Sequence, residues 1–282
     1  MINPQALSRF YLTLVPFLAA GLAFGIGHSK PQLYLPIWMA HALLMAFAVW
    51  SLGKNCFTNP DPEQRQLGTI ALLVIIPWIG FTVFAGMGPP PTSIPEWVET
   101  ATEQQVRYAL LIIGGMLITV GLALLANKLR QSGEKQYWLL GLLALGIAMP
   151  LFIANMAYWG SFLVESFTNF SAASVAKRPD WYLSMRALFT WISGVEVALL
   201  YLATAAFGLA LESVGWLTST ACRLYVVFSL VGTLLSVLPS FSVGPLEIVT
   251  YLVSIPAFPF IMPYLMALNL LNLANRNVST IQ

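Results

Sequence analysis

Long uninterrupted apolar runs alternate with short polar or Gly/Pro-rich breaks along the whole chain. The runs fall at roughly 10–27, 33–53, 67–88, 107–128, 137–165, 182–212, 221–239 and 246–273. A helix rising ~1.5 Å per residue needs about 20 apolar residues to cross a ~30 Å hydrocarbon core, and each run is close to that length. The breaks read HSKPQ, KNCFTNPDPEQRQ, GPPPTSIPEWVETATEQQ, NKLRQSGEKQ, TNFSAASVAKRPD, ESVGWLTST and PSFSVG, with the turn-forming residues expected between helices. A transmembrane barrel would need short alternating segments instead. The pattern therefore predicts an all-α, polytopic transmembrane helix bundle of about eight spans, one integral membrane domain over 1–282 with no soluble domain. The first run, preceded by Arg9, shares features with a signal peptide but reads as the first span.

Composition sharpens this. Of 282 residues, 58% are apolar and 9% charged, against about 25% charged in a typical soluble domain. So few charges could not cover a water-facing surface; a bilayer makes the composition reasonable. A net charge of +2, with no dense Lys/Arg cluster, gives no support to nucleic-acid or polybasic lipid binding. The two cysteines, Cys56 and Cys222, lack metal or redox spacing and read as small apolar residues or free thiols.

Orientation follows from the distribution of cations. With the N-terminus in the cytoplasm, eight lie inside (Arg9, Lys54, Arg65, Lys128, Arg130, Lys135, Arg223, Arg276) and five outside (Lys30, Arg107, Lys177, Arg178, Arg186). The bias favours both termini on the cytoplasmic side. Tyr137, Trp138, Tyr158, Trp159, Trp181 and Tyr182 fall near the expected interfaces, as an aromatic belt does.

Most intramembrane charges sit at helix ends. Glu165 and Arg186 end and begin adjacent antiparallel helices, and Glu212 and Arg223 repeat the arrangement at the other side. Both couples are expected as structural ion pairs. Glu247 opens the last run, where a carboxylate suits a helix N-terminus.

Glu196 does not fit that scheme. In TWISGVEVALLYLATAAFGLALE it lies ten residues past Arg186, about 15 Å further along the axis and so near the midplane. A charged group there costs at least about 2.5–3.5 kcal/mol; a carboxyl in apolar surroundings sits neutral instead. Counting residues from the helix ends places Asn155, Ser254 and His41 at similar depth, with Ser193 one turn away on the same helix. The last run adds Pro256, Pro259 and Pro263 within SIPAFPFIMPYL. Each proline removes a backbone donor, and interrupted helices at mid-membrane are how many transporters build sites. Pro77 and Pro150 are candidates for kinks in the third and fifth spans.

These residues support an intramembrane proton, cation or substrate site at Glu196, Asn155, Ser254, Ser193 and His41, with broken-helix backbone at Pro256, Pro259 and Pro263. They equally support a carboxyl that locks helices together. Catalytic and metal-binding motifs are absent from the sequence. A haem b held by His28 and His41 is disfavoured because the two lie about 12 Å apart in depth, so no cofactor is expected. The functional readings are a small-solute or ion transporter or channel titrating at Glu196, a non-catalytic subunit of a larger membrane complex, and, third, a lipid-modifying enzyme. Beyond the lipid bilayer, partner membrane subunits or a homo-oligomer are the expected associations, with Gly114, Gly115, Gly141 and Gly146 as candidate contact faces.

Overall fold

The computed structural model describes residues 4–25, 31–57, 61–88, 91, 93–172, 180–237 and 245–279. His28 lies outside them, as do the side chains of Glu247, Trp181 and Tyr182. Every regular element described is helical: α1 (Pro4–Gly25), α2 (Pro31–Phe57), α3 (Pro62–Ile75), α4 (Pro77–Gly86), α5 (Ile94–Glu99), α6 (Ala101–Gln131), α7 (Tyr137–Ala157), α8 (Leu163–Ala172), α9 (Asp180–Ser213), α10 (Ser219–Val237), α11 (Pro245–Ser254) and α12 (Ile261–Ser279). A π-helical turn, Tyr158–Phe162, joins α7 to α8, and a 3₁₀ turn, Phe258–Phe260, precedes α12.

Seven segments among the described residues are long and apolar enough to cross a membrane: Pro4–Ala23, Leu35–Lys54, Pro62–Val83, Ala101–Gln131, Tyr137–Asn169, Ser184–Ser213 and Ser219–Val237. The chain is an integral membrane helix bundle. The expected eighth span differs, because it is two helices separated by a break at Ile255–Ala257. The third is also jointed: Pro77 lacks the N–H that would continue α3, so the helix ends at Ile75 and restarts as α4. Pro150 sits inside α7, which runs through it. At the start of α3, Asp61 caps the helix by accepting from the Glu63 N–H at 3.0 Å, with Pro62 behind it.

Within the bundle α9 packs between α7 and α10, α6 lies against α7 and α3–α4, and α12 against α2 and α3. An aromatic ladder ties the two halves together: Trp78 meets Phe81 (5.5 Å between ring centroids) and Tyr264 (5.0 Å), while Phe260 meets Phe81 (5.6 Å) and Phe152 (5.5 Å). Tyr264 donates to the Leu12 carbonyl (2.7 Å) and Arg9 to Asn269 Oδ1 (3.2 Å). Those pairs run antiparallel, so the start of α1 and the end of α12 share one end of the bundle.

The glycines serve packing inside the chain. A Cβ on Gly114 would lie 2.5 Å from Phe81, on Gly115 2.8 Å from Phe152 and on Gly141 3.1 Å from Phe207. These three let neighbouring helices of this chain approach closely, which corrects their reading as faces for a partner. Only Gly146 among the four has open space around it.

The expected ion pairs also differ. No ion pair joins Glu165 to Arg186 among the described residues; both are exposed, and Glu165 accepts weakly from Asn169 (3.5 Å). Long side chains at an interface gain little from pairing when water and headgroups compete. Nor does an ion pair join Glu212 to Arg223 among the described residues; Arg223 acts on the carboxyl only at longer range, and Cys222 and Ser219 lie nearer to it. Ion pairs among the described residues include Lys128–Glu63 (3.0 Å) and Arg107–Glu103 (3.8 Å).

Candidate functional site

Glu196 is completely buried. Its position on α9 faces α7, and the two helices bring Asn155 level with it, as the depth arithmetic requires. Asn155 Nδ2 donates to Glu196 Oε1 at 2.9 Å, and Trp159 Nε1 donates to Asn155 Oδ1 at 3.0 Å. The amide is thus held at both ends, with its orientation set by an indole that can only donate. Glu196 Oε2 has no hydrogen-bond partner among the described residues. The arrangement suits a carboxylic acid, whose carbonyl oxygen accepts from the amide. An ionised carboxylate would have one hydrogen bond where it needs several.

Asn155 also borders a cavity of about 250 Å³ in the half of the bundle away from the two chain ends. Ser193, Ser254 and Pro256 border it as well, as do Trp159 and Arg107. Its remaining walls are largely apolar and include Ala19, Ala20 and Ala23 of α1, Phe81 of α4 and Phe258. Glu196 is not part of the wall; Asn155 stands between it and the space.

The broken segment contributes side chains more than free carbonyls, contrary to what its prolines suggested. Leu252 O accepts from the Ile255 N–H (3.2 Å), Ile255 O from Phe258 (2.9 Å) and Ala257 O from Phe260 (3.2 Å). Val253 O accepts from the Tyr201 hydroxyl across the interface with α9 (3.3 Å). Tight turns and one phenol absorb the acceptors that Pro256 and Pro259 release. Pro263 falls inside the start of α12. Ser254 turns its hydroxyl onto the Tyr251 carbonyl (2.8 Å), so neither it nor Ser193 binds Glu196.

His41 belongs elsewhere. It is buried between α1 and α2, where the Tyr11 hydroxyl lies 2.7 Å from Nδ1. It borders neither Glu196 nor the cavity. Depth along a helix did not reveal the direction in which a side chain points.

Two features were not singled out in the sequence. Arg107, taken there as an outer interfacial cation, is only 1% exposed. One guanidinium nitrogen, Nη2, donates to the Met87 carbonyl at 2.7 Å and lies 3.8 Å from Glu103. Secondly, the acidic loop after the third span contains α5, whose Trp97 is buried and donates to the Pro91 carbonyl (2.8 Å). Trp97 stacks on Trp159 (6.3 Å), which stacks on Tyr108 (6.5 Å). That aromatic stack adjoins the cavity beside the π-helical turn. π-bulges are often found at functional sites; here Gly160 within the turn allows Tyr108 to approach so closely that an added Cβ would fall 2.5 Å from it. Trp97 within PEWVE and the lone Gly of YWGSF were the available signals.

No known protein family, curated protein or solved structure matches the chain.

Proposed function

We propose that the protein moves a small solute across the membrane through this cavity, with Glu196 as the proton-holding group that couples to it. The observation that carries the reading is Asn155, which hydrogen-bonds the buried Glu196 and at the same time forms part of the cavity wall. When Glu196 is neutral, its carbonyl oxygen accepts from the Asn155 amide. Loss of the proton leaves a carboxylate that pulls harder on the same amide, and Asn155 transmits the change to Trp159 and the wall. The break at Ile255–Ala257 borders the same space and provides a joint about which the last segment can shift.

The charge distribution favours a proton over a metal ion as the coupling species. The charged side chain on the cavity wall is Arg107, paired with Glu103 at 3.8 Å, and no carboxylate among the described residues lines the cavity itself. Orientation belongs to the same reading. Arg107 and Lys128 are both buried in protein and drop out of the loop tally, which leaves four outer cations against seven inner ones; that bias supports both termini in the cytoplasm and the cavity in the outer half.

Stopped-flow swelling of proteoliposomes in anionic, cationic and uncharged small solutes, at several pH values, tests this. The expected result is that one class enters faster than into empty liposomes, with a pH dependence that Glu196→Gln removes. If no class enters faster, the transport reading falls.

A specific observation favours the second reading, a non-catalytic subunit of a membrane complex. Glu196 is sealed and bonded only to a neighbouring helix, as a structural lock would be. Stoichiometric partner chains, or a second copy, in a mild-detergent purification would support it.

A further inference from the structure

We infer that the cavity binds an uncharged aromatic carbonyl compound, a flat ring whose ketone or quinone oxygen accepts from donors left unspent on the wall. This deepens the transport reading by naming a class of solute, and binding is tested apart from solute entry.

The first observation is the hydrogen-bond balance of the wall. Trp78 borders the cavity at 3% exposure, and its indole N–H has no partner among the described residues. An indole only donates, and a buried donor without an acceptor is costly, so the group calls for an acceptor from outside the chain. Buried Tyr108 and half-buried Ser193 border the same space, and neither hydroxyl makes a hydrogen bond among the described residues. The acceptors nearby are already engaged. Asn155 Oδ1 takes the Trp159 N–H, and the carbonyls around the break at Ile255–Ala257 take donors of the chain itself. Unspent donors beside spent acceptors fit a ligand that brings acceptor oxygens and no donor.

The second is charge. Arg107 is held by the Met87 carbonyl at 2.7 Å and by Glu103 at 3.8 Å, and takes no part in the binding proposed. Its charge has a counter-ion within the chain, and no carboxylate among the described residues lines the cavity. An anion would have to compete with Glu103, and an ammonium would find no counter-ion. Each would give up its hydration without a partner to replace it. A neutral molecule avoids that cost.

The third is shape. The rings of Trp78, Phe81, Tyr108 and Phe258 border the space, and the alanines of α1 leave it open. Aromatic walls suit a flat ring, which they meet face-on or edge-on. The volume of about 250 Å³ is below the range of about 300–1,000 Å³ that houses drug-sized ligands, so the ligand held there is compact, a single ring or a fused pair. This chemistry has two sources, the head group of a membrane quinone and a small aromatic ketone from water.

Matched pairs that differ in the oxygen alone test the assignment. The full chain in phosphatidylcholine nanodiscs is titrated by calorimetry with acetophenone and duroquinone, and with their oxygen-free counterparts α-methylstyrene and durene. Empty nanodiscs give the partition into lipid, and benzoate and benzylamine supply the two charges. The carbonyl compounds are expected to bind at least about 10-fold tighter than their counterparts, as two or more neutral hydrogen bonds provide. Tyr108→Phe removes one hydroxyl and keeps the ring. It is expected to weaken acetophenone binding by about 3- to 10-fold and to leave α-methylstyrene unchanged, a difference that a merely structural role would not produce. Trp78→Phe is expected to act in the same direction. Because Trp78 also packs on Phe81 and Tyr264, Tyr108→Phe carries the test if that variant fails to fold. Ala20→Phe fills the space and is expected to abolish binding of every probe. Equal binding of carbonyls and hydrocarbons, tighter binding of benzoate or benzylamine, or a carbonyl preference unchanged in Tyr108→Phe and Trp78→Phe overturns the proposal. Decylubiquinone binding tighter than duroquinone assigns the source to the membrane, and the reverse order assigns it to water. Carbonyl binding without solute entry would sink transport and leave this site standing; solute entry without carbonyl binding would do the reverse.

Discussion

Replacing Asn155 by Leu removes the side chain on which both readings of Glu196 depend. Two hydrogen bonds disappear, the one to Glu196 Oε1 (2.9 Å) and the one from Trp159 Nε1 (3.0 Å). In water-soluble cores an orphaned buried partner costs about 1–3 kcal/mol. In membrane bundles the measured couplings average about 0.6 and reach about 1.7 kcal/mol, because the unfolded chain also finds partners in the bilayer. Two such bonds give an expected loss of about 1–3 kcal/mol. Glu196→Leu breaks only the first bond and leaves Asn155 Nδ2 as the orphan, for about 0.6–1.7 kcal/mol. With both replaced, the shared bond is lost once instead of twice. The double variant should therefore be more stable than the sum predicts by about 0.6–1.7 kcal/mol.

The assay is reversible unfolding in mixed micelles followed by tryptophan fluorescence, with the four proteins of the cycle under one condition. Additive losses would refute the reasoning, since the bond would then join nothing of energetic consequence. Glu196→Gln separates glue from function, because its amide can still accept from Asn155 and is not titratable. Near-native stability with the pH dependence of solute entry gone marks a working group. Native behaviour on both counts marks a lock.

Three further outcomes follow from the geometry. Burial alone would raise the Glu134 carboxyl, but backbone N–H groups of Trp138, Gln136, Tyr137 and Lys135 outweigh it and hold its pKa below the ordinary carboxylate value. Its stabilisation of the start of α7 is thus present above the unfolded value of about 4.3 and is lost as pH falls through the lower folded value; Glu134→Ala should cost about 1–2 kcal/mol at neutral pH and remove that acid sensitivity in thermal melts. Gly160→Ala puts a methyl 2.5 Å from Tyr108 Cβ and should cost about 1–3 kcal/mol, with altered tryptophan emission from Trp159; Gly146→Ala, in open space, should leave both unchanged. Glu63→Gln removes the partner of Lys128 at a site where Glu63 is 74% exposed, so its effect should stay within about 1 kcal/mol and shrink in high salt.

The fold was legible because spans are read from length and apolarity, and those properties are local. The bilayer forces each apolar run such as 107–128 or 221–239 into a helix, so the order of elements needed no tertiary information. Depth was legible for the same reason: residues counted from helix ends set Asn155 beside Glu196. Rotation about the helix axis was not. His41 has a similar depth and points toward Tyr11 on α1, and Ser254 turns back onto its own helix. Arg107 was read as interfacial because it opens an apolar run; its burial depends on the turn after α4, which supplies the Met87 carbonyl from 20 residues away. Trp97 was hidden in a loop rich in Pro and Glu, because only its contact with Trp159 shows that the loop folds back. Prolines marked the break in the last segment correctly, but the fate of its carbonyls depended on Tyr201, a residue on another helix.

Arg107 and Glu196 are the most deeply buried Arg, Lys, Asp or Glu side chains among the described residues. Stability alone would remove two buried ionisable groups or bring them together, since an apolar substitute is often as stable as a buried pair and an isolated charge is expensive. The bundle does neither. Arg107 is tied to Met87 and Glu103 on one side of the cavity, and Glu196 is tied to Asn155 behind another wall, with no ion pair between them among the described residues. Arg107 is thereby paired with Glu103, while Glu196 Oε2 keeps no hydrogen-bond partner among the described residues. Asn155, which touches Glu196 and borders the cavity, is the residue through which a change at the carboxyl would reach that space.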